Sequence, residues 1–330
     1  MPLSQISSLP KLFLKAASIL FVGLVSGLLT SPVTAQTLQQ PATRYLQFVT
    51  GGTPTLTKFN GRLYLTYGSA STGLLNVASA SDGVNFTAAT QIPSALVGAS
   101  PAPFNNGGNT LYVFYRDASD GTLKQVNSTD GVNFTGSLQL QQSNGAGAVY
   151  SSTPVSVAFF GNYYYVAYTD GNGHVQVAQT DGQTIYSIHQ VSSNYTTASA
   201  PSILQGAGQL IVGFQAGNHM LVMEGSFDTN TWNETPYPGI LMGSAPNLSI
   251  YNLANLYVTF QSNDQYHILF QTTGQSPSTL TSPANVSYRN ILMAGAPSCV
   301  QDLSTQSGVT LFCAFKSNDQ YNLTFIAAGN

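Results

Sequence analysis

Apolar and polar residues alternate along most of the chain in short runs, the period of a pleated strand, as in "LYLTY" (Leu63–Tyr67) and "LYVFY" (Leu111–Tyr115). Related runs return as "YYVAY" (Tyr164–Tyr168), "LIVGF" (Leu210–Phe214), "LYVTF" (Leu256–Phe260) and "LFCAF" (Leu311–Phe315). A small residue and a proline precede each run and open another strand, at Pro54, Pro101, Pro154, Pro201, Pro246 and Pro297, with spacings of 47, 53, 47, 45 and 51 residues. Turn signals such as "FNG", "FGN" and "GAG" separate the strands, and no stretch after the first 35 residues carries a helical period. Each repeat has room for four strands. The pattern therefore predicts an all-β, six-bladed β-propeller with four-stranded blades, each burying its faces against its neighbours.

The two ends of the chain predict how the ring closes. The sixth repeat stops at "YNLTFIAAGN" after its third strand, whereas "TRYLQFVTGGTP" (Thr43–Pro54) reads as a fourth strand without a blade. The N-terminal strand is expected to complete blade six. The segment "SDGVNFT" (Ser81–Thr87) recurs as "TDGVNFT" (Thr129–Thr135), after a third strand in both repeats. Asp can bond its own backbone and Gly accepts positive φ, so Asp82–Gly83 and Asp130–Gly131 read as tight turns into the fourth strand, with Phe86 and Phe134 tucked into the blade.

Composition adds a compartment. Lys11 and Lys15 precede an apolar run from Ala16 to Leu29, and Val33-Thr34-Ala35 supplies small residues for cleavage, so residues 1–35 read as a signal peptide and residues 36–330 as a single propeller domain. The expected product is secreted or periplasmic, with no membrane insertion after cleavage. Without Lys11 and Lys15 the chain keeps 7 basic and 12 acidic side chains, and no basic cluster points to nucleic acid.

The sequences "STDGVNF" (Ser128–Phe134) and "SFDTNTW" (Ser226–Trp232) resemble the Asp-boxes of sialidase-like propellers, whose pattern is Ser-x-Asp-x-Gly-x-x-Trp. Phe134 stands in place of the Trp in the first and Asn230 in place of the Gly in the second. The resemblance implies a propeller fold and a structural role for these turns. Sialidases also require three arginines, a Tyr–Glu pair and an Asp acid. Beyond residue 35 this chain holds only Arg44, Arg62, Arg116 and Arg289, with Glu224 and Glu234 as its two glutamates. Neither glutamate is placed as a channel acid. The stretch "FNGRLYLTY" (Phe59–Tyr67) is also similar to arabinanase and xylosidase propellers, but those have five blades; sugar-binding propellers of the fucose-lectin type have six and use Trp, Arg and Glu between blades. Trp232 is the single tryptophan here.

Charge concentrates in the loops between second and third strands (BC loops), on the face shared with the loops joining successive blades (DA loops). These BC loops are "RDASDG" (Arg116–Gly121), "TDGNGH" (Thr169–His174), "QAGNH" (Gln215–His219), "QSNDQY" (Gln261–Tyr266) and "KSNDQY" (Lys316–Tyr321). Arg116, Asp117, Asp120, Asp170, His174, His219, Asp264, Tyr266, Asp319 and Tyr321 are the candidate ligand contacts. No bidentate Glu follows Asp170, Asn172 and His174 as a calcium loop needs, and the histidines lack zinc spacing, so neither metal nor cofactor is expected. No catalytic residue is assigned. The first expectation is glycan binding on the BC and DA loops; glycoside hydrolysis and a protein-interaction scaffold are the alternatives.

Cys299 and Cys313 are the only cysteines. Each occupies an inward apolar position, Cys299 in a first strand and Cys313 in the second, equidistant from the hairpin midpoint near Gln306. An oxidising compartment favours their pairing as a structural disulfide.

Overall fold

The computed structural model describes residues 42–329 apart from 84, 252–254, 264–267, 275–285, 289–292, 303–309 and 319–321. The described residues are all β and form six sheets, one for each sequence repeat. After β1 (Ala42–Val49), blade 1 holds β2 (Thr55–Phe59), β3 (Arg62–Gly68), β4 (Leu74–Ala80) and β5 (Thr90–Leu96). Blade 2 holds β6 (Ala102–Phe104), β7 (Leu111–Arg116), β8 (Leu123–Ser128) and β9 (Leu138–Gln139). The short β10 (Gln141–Gln142) leads to blade 3, with β11 (Ser156–Phe160), β12 (Tyr163–Thr169), β13 (Val175–Thr180) and β14 (Thr184–Gln190). Blade 4 holds β15 (Ser202–Gly206), β16 (Gln209–Gln215), β17 (Met220–Ser226) and β18 (Asn233–Leu241). Blade 5 holds β19 (Asn247–Tyr251), β20 (Asn255–Gln261), β21 (Ile268–Gly274) and β22 (Val286–Tyr288). Blade 6 holds β23 (Ser298–Asp302), β24 (Thr310–Lys316) and β25 (Asn322–Gly329).

The fourth strand of blade 6 is β1, antiparallel to β25 with Ala42 opposite Ala327 and Leu46 opposite Leu323. Within the same blade Cys299 pairs with Cys313 in the β23–β24 register, and their sulfurs are bonded at 2.02 Å. The sequence pattern anticipates both features.

Blade 3 departs from the four-strand expectation. Past β9 the chain buries Leu140 and then crosses to blade 3, where β10 runs parallel to β14 as a fifth, outermost strand. Gln141 N donates to Gln183 O at 3.0 Å and Ser143 N to Ile185 O at 2.9 Å. A strand that would have ended one sheet therefore covers the edge of the next, leaving β9 only two residues long.

The core lies between blades. Leu75 and Val77 of blade 1 share one buried cluster with Leu111, Val113 and Val126 of blade 2. Val175 and Val177 of blade 3 share another with Val212, Phe214 and Val222 of blade 4. Both faces of a middle strand are thus buried, which is why the second strands read as near-continuous apolar runs.

The repeated "DGVNF" fastens neighbouring blades. Asp130 Oδ1 accepts the N–H groups of Val132 and Asn133, each at 2.8 Å, and fixes the turn that carries Gly131 at φ 74°. Gly131 then lies flat on Tyr64 of blade 1: a Cβ there would stand 2.5 Å from Tyr64 Cζ. Gly83 of blade 1 meets Phe312 of blade 6 in the same way, with 2.7 Å to Cζ, and Gly182 of blade 3 rests on Tyr112 of blade 2. In blade 4 Thr229 takes this place at φ 67° and hydrogen-bonds with Tyr165 of blade 3.

Candidate functional site

The described rim candidates form separate local groups. At the mouth of blade 2, Lys124 Nζ lies 3.1 Å from both Asp117 Oδ2 and Asp120 Oδ2. Asp117 is buried, while Asp120 is exposed. Burial works to raise the Asp117 carboxyl, but hydrogen bonds from Ser119 and Lys124 outweigh it and hold the group below the usual range. Burial also works to raise Asp120, and the bonds from Thr122 and Lys124 again prevail. Arg116 Nε donates to Ser151 O at 2.7 Å, tying the blade 2 loop to the connection into blade 3.

Asp170 holds its own hairpin in the second group: Oδ1 accepts from Asn172 N and His174 N, and Oδ2 from Gln176 Nε2. The His174 ring lies 3.6 Å from Asp170 Oδ2. His219 is exposed at φ 69°, with Nδ1 3.1 Å from Gln215 Nε2. Among the described residues no hydrogen bond or ion pair links these three groups. Asp264, Tyr266, Asp319 and Tyr321 lie outside the described residues. Lys124 escapes a loop-based reading because it belongs to strand β8, four residues after Asp120.

The first strands enclose a cavity of about 760 Å³ along the propeller axis. Its wall consists of Ser, Thr, Ala, Pro, Asn, Gln, Gly and apolar residues together with disulfide-bonded Cys299, and none of the described lining side chains is ionisable. The recurring small residue before each proline was the sequence signal for this wall. Such residues let six first strands approach a common axis.

Neighbouring first strands are joined around the channel through one register position. Ser156 Oγ of blade 3 accepts Ile203 N–H at 3.1 Å, Ser202 Oγ accepts Leu248 N–H at 2.9 Å, and Asn247 Oδ1 accepts Cys299 N–H at 2.8 Å. Ser298 Oγ accepts Leu56 N–H at 3.1 Å, which carries the ring back to blade 1. Thr55 holds the same position in blade 1, but its opposite number Pro103 has no N–H to give. Thr55 Oγ1 donates instead to Pro101 O at 2.8 Å. In blade 2 the position is Ala102, which offers no acceptor.

Away from the channel, Glu224 of β17 is fully buried and stands opposite Glu234 of β18. Ser192 Oγ and Asn194 Nδ2, from the loop leaving blade 3, donate to Glu234 at 2.6 and 2.9 Å. No donor among the described residues reaches either Glu224 oxygen. Burial first, and then the Glu234 charge, pushes Glu224 up to about 9. A carboxyl raised this far favours its neutral form at pH 7. Through Glu234, which is half-buried, the pair ties blade 4 to the loop leaving blade 3.

No family model and no curated protein matches the chain. Solved structures do. A protein of unknown function from Dyadobacter fermentans is 14% identical, covering 87% of this chain and 99% of its own, with a TM-score of 0.64. A lectin of Aleuria aurantia, solved with a fucose-containing disaccharide, is 12% identical over 83% of this chain and 91% of its own, at TM-score 0.62. A Trypanosoma rangeli sialidase is 14% identical over 88% of this chain at TM-score 0.58, and the match spans only 59% of the sialidase. At this level of identity the likeness establishes the β-propeller fold.

Proposed function

We propose that the protein is an exported, carbohydrate-binding propeller that holds neutral glycans at its central channel and at the BC and DA loops without cleaving them. The observation that carries this reading is the channel wall, about 760 Å³ of space bounded by described side chains that are all uncharged. Glycoside hydrolysis ordinarily uses two carboxyl groups about 5–10 Å apart. The described wall supplies none, and it supplies no cation to hold the carboxylate of an acidic sugar. Exposed Asp120 and His219, with half-buried Asp170 and His174, offer polar contacts at the mouth. Arg116 and Asp117 hold the loops in place. Sugar-binding and sugar-processing propellers among the structural neighbours favour this ligand class. The Lys-led apolar segment before residue 36 and the disulfide favour an oxidising, extracytoplasmic compartment.

A glycan array and a panel of chromogenic glycosides, run on the same preparation, test the reading. Binding to neutral glycans without release of chromophore is expected. Turnover of any glycoside would overturn the non-catalytic assignment, and silence on the array would overturn carbohydrate binding.

A further inference from the structure

Two independent features of the channel wall fall at one place, the seam between blades 2 and 3. The first is the break in the hydrogen-bonded ring. In register, Val157 corresponds to Ile203, Leu248, Cys299 and Leu56, each of which gives its N–H to a side chain of the preceding blade. The Val157 N–H accordingly points away from β12 toward blade 2. There it meets Ala102, which packs in the same cluster and has no oxygen on its side chain.

The second feature is aromatic. Phe104 and Phe159 are the aromatic residues of the described channel wall, and both belong to this seam. Each follows its partner by two positions, Ala102 to Phe104 and Val157 to Phe159, so each ring stands on the same face of its strand as the partner side chain, and all four belong to or pack against one cluster. Both rings are half-buried and stand edge-on to Tyr164, at centroid distances of 6.1 and 5.3 Å. Two residues of strand separate N–H from rings by about 7 Å, room for one sugar ring.

We propose that this seam is a subsite for the terminal residue of a neutral saccharide; the proposal rests on the reading that the channel binds glycans. A sugar hydroxyl oxygen accepts the Val157 N–H, and a C–H face of the same ring lies on Phe104 and Phe159. An unshared donor beside an aromatic platform is the pairing that small-ligand sites use to fix orientation and bury apolar surface together. The other closed junctions spend the equivalent N–H within the protein. Sialic acid and uronic acids are excluded as terminal residues, because the described wall has no cation for their carboxylate.

The test uses the full mature chain on an array of neutral and acidic oligosaccharides, followed by titration calorimetry with the strongest binder. Ala102→Ser places a hydroxyl where Ser156, Ser202 and Ser298 have theirs, so it takes the Val157 N–H and completes the junction. It should keep or raise thermal stability and weaken binding about tenfold, the loss of one hydrogen bond. Phe159→Leu preserves apolar packing but removes the platform, and should weaken binding to a similar degree. Wild-type affinity in either folded variant overturns the seam subsite and leaves carbohydrate binding standing, as does binding restricted to acidic glycans. An array with no binder removes the functional reading and the subsite with it.

Discussion

Glu224 and Glu234 stand opposite each other on β17 and β18, Glu224 fully buried and Glu234 held by Ser192 and Asn194 from the neighbouring blade. Between the ordinary glutamate range and about 9 the folded protein binds a proton at Glu224 that the unfolded chain has released. This contribution to stability is fully present below the unfolded value and is lost as pH rises through the folded one, at about 1.4 kcal/mol per unit. Glu224→Gln keeps a donor toward Glu234 at every pH. Its stability curve, measured by denaturant titration from pH 5 to 9, should fall less steeply than that of the wild type by up to one proton. Parallel curves would refute the raised Glu224.

Gly131 and Gly61 separate the contact of a turn from its conformation. Both have positive φ, 74° and 71°, but a Cβ on Gly61 meets nothing within 4 Å whereas one on Gly131 runs into Tyr64. Gly61→Ala should cost about 1–2 kcal/mol from backbone strain alone. Gly131→Ala should cost about 1–3 kcal/mol more, as overpacking does. Equal losses in urea unfolding would mean that the turn does not fasten blade 2 to blade 1.

Much of this arrangement was legible in the sequence. The Leu-Tyr-x-x-Tyr strands, the spaced prolines and the unmatched Thr43–Val49 segment gave the sheets and the β1–β25 closure, because a strand's period and a repeat's length are local properties. The crossing of β10 to blade 3 was not legible. Gln141 and Gln142 are polar, and only the tertiary position of Leu140 decides which edge they join. The site was harder still. Charge drew attention to Arg116 and Asp117, yet these groups have protein partners at the rim. The gap at Ala102 is visible only as a missing oxygen in a ring of six.

The rim ion group should behave as structure. Lys124→Met leaves Asp117 buried without its cation and should destabilise by about 3 kcal/mol. Asp120→Asn, at an exposed carboxylate, should change stability by less than about 1 kcal/mol. Because hydrogen bonds hold Asp117 below its ordinary value against the opposing effect of burial, its contribution is present above the aspartate range and fades as pH falls through the lowered value. Equal effects of the two substitutions in thermal melts at pH 7 would count against this division.

Blade 6 should be the weakest point when its fastenings are removed. Replacing Cys299 and Cys313 by Ala and Val removes a bond across 14 positions, worth about 3 kcal/mol in chain entropy. Deleting residues 36–49 exposes the β25 edge and should lower the melting temperature and promote self-association, readable by calorimetry and light scattering. A deletion variant that melts like the full chain and scatters light no more than it would contradict closure by β1.

The pairing of β1 with β25 also sets an order of events. Residues 42–46 meet residues 323–327, almost the full length of the chain away, while nearly every other ladder joins strands adjacent in sequence. Loop-closure entropy and high contact order place such a contact late in folding. During synthesis β1 is made before all of its partners and has no sheet to join until the last blade exists. The ring is therefore open for most of its assembly, and the first strand to be made is the last to be used.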